Sequence, residues 1–316
     1  MVLALSGLID NQHLRNLPQA LSSEITQNRH PNLLISSESM TRYFKFSELE
    51  HKICSFFSDL GYTIVPIVIL RDLVPLRKSI YIQTTKNIRN HRSFESFLQN
   101  IAKKQLSSST HPKKQSILRY LKQQKQNPIV IPYNTSTRQQ GIARTIMNGL
   151  GITDHVPPEA RLNHSVSDAQ IYASRWLGKY IEKTGEPLSA LHRPILQSRM
   201  ANFFAEEFSS TDSYNPLTPE SVDFIRQQQN QKLLNYVAQN YWGHSWEEAF
   251  QHDSPYIMES NDWMENPKKC PPPETLGHIQ TEVLGIWNDV QAEFPFNQKQ
   301  NIGNLITREL RNLNKN

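Results

Sequence analysis

Apolar and polar positions follow two rhythms along this chain, and the change between them falls near residue 160. In the first half, short apolar runs interleave with helical periods. Leu14 to Thr26 has helical spacing, and Asn32 to Ser36 is a short strand. Ser47-Glu48-Leu49-Glu50 has capping-box form, and Phe46, Leu49, Ile53, Phe56, Phe57 and Leu60 recur at helical spacing up to Gly61. Tyr62 to Leu70 is almost continuously apolar, as a parallel strand covered on both faces is. Pro66 cannot donate to a ladder, which puts that strand at an edge. Pro75 to Lys86 and Phe94 to Lys104 read as helices, Leu106 to Gln115 as a loop, and Pro128 to Pro132 as a strand. Ile142 to Leu150 is a helix closed by Gly151. Such alternation predicts an α/β fold with a small parallel sheet flanked by helices.

Beyond residue 160 the helical period takes over. Ser167 caps a helix whose apolar face is Ala169, Tyr172, Ala173, Trp176, Leu177, Tyr180 and Ile181. Thr218-Pro219 opens another, running through Phe224, Ile225, Leu233, Leu234 and Val237. Ile195–Phe208, Thr275–Phe294 and Asn301–Leu313 are further helices, and Asp253 to Pro273 is a long loop. The expected organisation is one domain over 1–316, with an α/β core at 1–158 and a mainly helical portion at 159–316 packed on it.

Composition narrows the class. At 316 residues, 37% hydrophobic and 20% charged, the chain can bury a sizeable core. No apolar run reaches the ~18–20 residues of a membrane span, so no membrane partner is expected. The start lacks a secretory pattern, and Cys54 and Cys270 are the only cysteines. A cytoplasmic, reducing setting is the expectation, with Cys54 in the core. Net charge is +5, and Ser96 to Thr153 holds no Asp or Glu beside Lys103, Lys104, Lys113, Lys114, Arg119, Lys122, Lys125, Arg138 and Arg144. That stretch is either a solvated basic face or a field that attracts an anionic partner.

The candidate chemistry lies where the second strand of the pattern ends. Val65 to Leu70 is followed by Arg71-Asp72, a short turn and a helix that carries Ser79 in its second turn. An arginine grips anionic oxygens bidentately, and a helix N-terminus adds unpaired N–H groups and partial positive charge. If the helix starts near Pro75, Ser79 faces the same point. Together with Leu33-Leu34-Ile35-Ser36-Ser37-Glu38 upstream, this arrangement resembles the sulfotransferase superfamily, in particular its bacterial members. Arg161-Leu162-Asn163-His164-Ser165 and Asn230 to Gly243 are similar to that group's later segments.

The resemblance implies a P-loop NTPase-like fold and a donor, phosphoadenosine phosphosulfate (PAPS). It assigns the 3′-phosphate to Arg71 and Ser79, and makes Glu38 the general base that deprotonates an attacking hydroxyl, with Ser36 and Ser37 beside it. The acceptor it implies is a hydroxyl, plausibly on a carbohydrate. The family also opens with a strand and a basic Gly/Ser/Thr-rich turn around the 5′-phosphosulfate. This chain opens Met1-Val2-Leu3-Ala4-Leu5-Ser6-Gly7-Leu8-Ile9-Asp10, with no basic residue before Arg15 and no G-x-x-x-x-G-K-[ST]. The first strand and its loop are therefore expected to be lacking, and sulfuryl transfer to be weak or lost. The competing expectation is a non-catalytic relative that binds an anionic glycan or a protein.

Other chemistries find less support. Gly243-His244-Ser245-Trp246-Glu247 begins like a nucleophile elbow, but Glu247 replaces the second glycine; Trp242 and Trp246 around His244 read as helix-end packing. The histidines show no H-E-x-x-H or zinc spacing, so no metal is expected. Nucleic acid is not an expected partner, because Tyr120 and Tyr133 are the only aromatics between Lys103 and Arg144. Asn134 and Asn163 begin glycosylation sequons by pattern only. Asn163 and Ser165 read as capping residues.

Overall fold

Side-chain caps set most of the helix boundaries. The computed structural model describes residues 2–4, 23, 34–36, 54–107, 117–123, 128–153, 166–208, 213–253 and 260–295. The strands are β1 (Val2–Ala4), β2 (Leu34–Ser36), β3 (Ile67–Leu70) and β4 (Ile129–Pro132). The helices are α1 (Leu73–Lys86), α2 (Phe94–Ser107), α3 (Ile117–Gln123), α4 (Thr135–Gln140), α5 (Ile142–Gly149) and α6 (Asp168–Thr184). They continue with α7 (His192–Glu207), α8 (Pro219–Gln227), α9 (Gln231–Trp242), α10 (Trp246–Phe250) and α11 (Pro273–Glu293). Residues 54–59 are also helical, ahead of Gly61 at φ +83°. The fold is mainly helical with a small parallel sheet component, an α/β protein in the general sense. The helices expected at Leu14–Thr26 and Asn301–Leu313 lie outside the described residues, apart from Ser23, which is helical.

The strands form two parallel pairs. Val2 lies opposite Leu34 and Ala4 opposite Ser36; Ile67 lies opposite Ile129 and Leu70 opposite Pro132. A parallel pair needs a crossover, and for β3 and β4 the chain supplies one at 71–128. Two expectations change here. The first strand is present, because the apolar Val2-Leu3-Ala4 finds its ladder partners on β2. The strand expected over Tyr62–Leu70 shortens to β3, which begins directly after Pro66. The Pro66 carbonyl accepts from the Ile129 N–H at 2.9 Å, but its ring nitrogen has no proton to give. Among the described residues, β4 is the one strand paired with β3.

One compact unit comprises Met1–Leu70, Ser108–Val156 and Asn230–Gln251. Its core sets Leu70, Leu121 and Val130 against Val237, Trp246 and Phe250. The indole of Trp242 donates to the Val130 carbonyl at 2.8 Å, and the Tyr241 hydroxyl to that of Leu121 at 3.0 Å. Asn134 caps α4 by accepting from Thr137 N–H, and its amide donates to the Ala249 carbonyl at 2.7 Å. Gly243 at φ +74° closes α9, and a Ser245–Glu248 capping box opens α10. The Trp242 and Trp246 rings lie 5.4 Å apart, so the Gly-His-Ser-Trp-Glu stretch is a helix–helix corner.

The other unit comprises Arg71–Ser107, Pro157–Gln229 and His252–Asn316. Its central element is α6, capped by Ser167 and closed by Gly185 in the left-handed conformation. Ala169, Ile171, Ala173 and Leu177 of α6 are fully buried against α1, α7 and α11. Gly178 sits so close to the 88–91 turn that a Cβ there would lie 2.8 Å from His91 Cβ. At the far end His192 Nε2 donates to the Phe294 carbonyl at 2.7 Å. The single helix expected from Thr218 to Val237 is broken. Thr218 and Ser221 form a capping box for α8, which ends at Gln227, and Asn230 starts α9 by accepting from Leu233 N–H at 3.1 Å. A local amide cap outcompetes helix continuation through the polar run Gln227–Gln231.

Candidate anion site

The turn after β3 forms much as its residue types require. Asp72 is the N-cap of α1, with its carboxylate accepting from the Val74 N–H at 3.0 Å. The helix thus begins at Leu73, two residues before the expected start at Pro75. One of the N–H groups available to an anion is thereby taken by a carboxylate. Any anion held here relies more on side-chain cations than on the helix end.

Position along α1 decides which side chains share a face. Val74, Tyr81 and Thr85 form its buried row. At about 100° per residue, Ser79 lies about 140° from Val74, and Lys78 about 40° from it. Ser79 is accordingly exposed, whereas Arg71, Arg77 and Lys78 are half-buried. Burial pushes the Arg77 guanidinium below the usual arginine range. Lys78 is also lowered, first by burial and then by the positive charge of Arg71.

Glu38, Ser37, Arg161, Asn163 and Ser165 lie outside the described residues, and Ser36 is placed as the last residue of β2. Of the basic stretch, Lys103, Lys122, Arg138 and Arg144 are exposed. Lys122 and Arg138 each lie over a tyrosine ring, Tyr236 at 5.0 Å and Tyr133 at 5.8 Å. Those contacts occupy ring faces that could otherwise stack on bases.

A second charged cluster is buried beneath α1. Arg175 of α6 is 1% exposed. Its Nη1 donates to both Asp262 oxygens at 2.6 Å, its Nη2 to Glu265 at 2.6 Å, and its Nε to the His91 carbonyl at 3.4 Å. The Tyr214 hydroxyl donates to Asp262 at 2.7 Å, and that of Tyr81 to the Arg92 carbonyl at 3.0 Å. Burial drives the Tyr214 phenol well above its ordinary range and pushes Tyr81 up to about 12. These groups satisfy one another, and the cluster clamps the 260–266 segment to α6. Its work is structural. Among the described residues no group of His, Cys, Asp and Glu is arranged to hold a metal ion, and no helix is long and apolar enough to cross a membrane. Comparison with family models, curated proteins and solved structures returned no match.

Proposed function

We propose that this chain is a sulfotransferase-like protein that binds PAPS, with Arg71 and Ser79 on the 3′-phosphate and Glu38 as general base. The acceptor would be a hydroxyl, most naturally of a carbohydrate. The observation that carries this reading is local: Arg71 stands directly before the Asp72 cap and the first turn of α1. The P-loop NTPase-like topology and a cytoplasmic setting belong to the same proposal. In the reaction, Glu38 would take the acceptor proton as its oxygen attacks sulfur, and the bond from sulfur to the bridging phosphate oxygen would break.

A second reading has one observation in its favour. The segment after β1, Leu5 to Asp10, carries an acid and no base. Donors aimed at the charge that shifts onto the leaving phosphate are worth roughly 2.7–4 kcal/mol each, so turnover without them is negligible. A relative that keeps donor-site residues and binds an anionic glycan or protein without catalysis fits that lack. Calorimetric titration with phosphoadenosine phosphate tests the binding claim shared by donor site and enzyme. Saturable heat that disappears in Arg71→Ala is the expected result. No heat from the unaltered chain would leave only the interaction-module reading. If binding is present, release of phosphoadenosine phosphate from PAPS over a panel of glycans separates enzyme from module.

A further inference from the structure

The turn that joins α1 to α2 is held from inside and leaves two arginines outside. Ile88 has φ +53°, a conformation that is costly for a β-branched residue and that glycine ordinarily supplies after a helix. Its side chain, 5% exposed, packs in the core with residues of α6, α7 and α11, which keeps it there. The Ile88 N–H donates to the Thr85 carbonyl at 2.8 Å, and the Arg89 N–H to that of Thr84 at 2.9 Å. Arg193 of α7 donates to the Ile88 carbonyl at 2.6 Å and to that of Asn87 at 3.2 Å. The Tyr81 hydroxyl donates to the Arg92 carbonyl at 3.0 Å, and the Asn90 amide to the Thr85 hydroxyl at 3.2 Å. The backbone from Asn87 to Arg92 is thus fixed by its surroundings, with three carbonyls turned onto α1 and α7.

Charge on this turn is one-sided. No acid occurs between Leu73 and Ser93, while Lys86, Arg89, His91 and Arg92 follow one another closely. His91 is paired with Glu182 of α6 at 2.9 Å. Arg89 and Arg92 are exposed, and among the described residues no hydrogen bond or ion pair engages either guanidinium. Glu95, exposed in the first turn of α2, leaves Arg92 unpaired. The turn shows no large apolar side chain to solvent, because Tyr81, Ile88 and Phe94 are all buried. A membrane therefore has nothing to receive, a nucleobase no ring to stack on, and a folded protein no apolar anchor.

We propose that Arg89 and Arg92 form a docking fork for an extended acidic peptide segment, whose carboxylates each accept one guanidinium bidentately. Carboxylate geometry matches the planar fork of arginine, and a flexible acidic partner binds through such contacts without a buried core. A turn already ordered loses little freedom when the partner arrives. This surface goes beyond the donor-site reading, since Arg71 and the turn lie at opposite ends of α1.

Anisotropy of a fluorescent oligoglutamate peptide titrated with the full chain tests this. The variants are Arg89→Gln, Arg92→Gln, the double glutamine change, and Arg89→Lys/Arg92→Lys. Each single glutamine change should weaken binding about 3- to 5-fold, the worth of an exposed ion pair, and the double change about 10-fold or more. The lysine pair keeps the charge but loses the fork, so it should bind nearer to the glutamine pair than to the unaltered chain. All should melt as the unaltered chain does, because neither side chain has a partner to lose. Phosphoadenosine phosphate should bind the variants and the unaltered chain alike; its failure to bind any of them would overturn the donor site only. Unchanged peptide affinity in the double glutamine variant, or no peptide binding by the unaltered chain, overturns the fork. Full affinity in the lysine pair, or tighter binding of oligo(dT) or phosphatidylserine vesicles through the same two residues, overturns its assignment to an acidic peptide.

Discussion

Replacing Arg175 by methionine should be among the most damaging single changes available in its unit, and the structure allows its size to be worked out. Three interactions end together. The contact with the His91 carbonyl is long at 3.4 Å and contributes little. Glu265 has a side chain 47% exposed, so its carboxylate rehydrates when the guanidinium leaves, and that ion pair is worth under about 1 kcal/mol. Asp262 is different. At 3% exposed it cannot reach water, and among the described residues it keeps the Tyr214 hydroxyl and the Met264 N–H as donors. A buried carboxylate stripped of its cation costs about 3–5 kcal/mol, so this contribution decides the outcome. Set against a total stability of about 5–15 kcal/mol, the loss is large.

Urea denaturation followed by circular dichroism reads this directly. At slopes usual for small domains, a loss of that size lowers the midpoint by about 1–3 M. The companion variant Arg175→Met/Asp262→Asn isolates the cause. A neutral amide still accepts from Tyr214 but carries no charge to be orphaned, so about 2 kcal/mol should return. If Arg175→Met unfolds within about 0.5 kcal/mol of the unaltered chain, the cluster is not the buried, charge-balanced clamp described above.

Three further outcomes follow from particular contacts. Because Tyr81 is pushed up to about 12 and Tyr214 is raised too, their contribution to stability is complete below the ordinary phenol range near pH 10 and lost as pH climbs through about 12. Tyrosinate absorbance should therefore show at least two of the eleven tyrosines ionising late, together with unfolding; uniform titration near pH 10 would contradict this. Gly178→Ala should destabilise by about 1–3 kcal/mol, since its Cβ would meet His91 Cβ at 2.8 Å, and a neutral result in chemical denaturation would mean the 88–91 turn yields easily. Ser174 is 0% exposed with an unpartnered hydroxyl, so Ser174→Ala should leave the melting temperature unchanged or raise stability by up to about 1 kcal/mol. A marked fall would reveal a partner for that hydroxyl.

Local features were legible in the sequence and long-range ones were not. Ser167 and Thr218 cap helices because an acceptor side chain next to unpaired N–H groups needs no distant partner, whereas the cap at Ser245 was hidden in a stretch that begins like a nucleophile elbow. β4 and α5 fall within a residue or two of their expected bounds for the same reason. Pro66 was visible as a misfit, and the structure resolves it by starting β3 one residue later. The break between α8 and α9 went unread, because Asn230 looks like one more polar residue in a glutamine-rich run until its cap is seen.

The Arg175 cluster joins residues up to 90 positions apart, and no periodicity reports such a pairing. Within the candidate site, Arg71 is legible from its place at a strand end, a local cue, whereas the exposure of Ser79 and the half-burial of Lys78 depend on which face of α1 packs inward. Glu38 lies outside the described residues, so its placement rests on the sequence alone.

The proposed function requires Arg71, at the start of α1, to hold a 3′-phosphate. Calorimetry comparing phosphoadenosine phosphate with adenosine 5′-phosphate on the unaltered chain tests it most directly, because the two ligands differ only in that group. The 3′-phosphorylated ligand should bind at least about tenfold tighter, the worth of one good charge-assisted contact, with the difference shrinking as salt rises. Equal affinity for the two, or no binding of either, would contradict it.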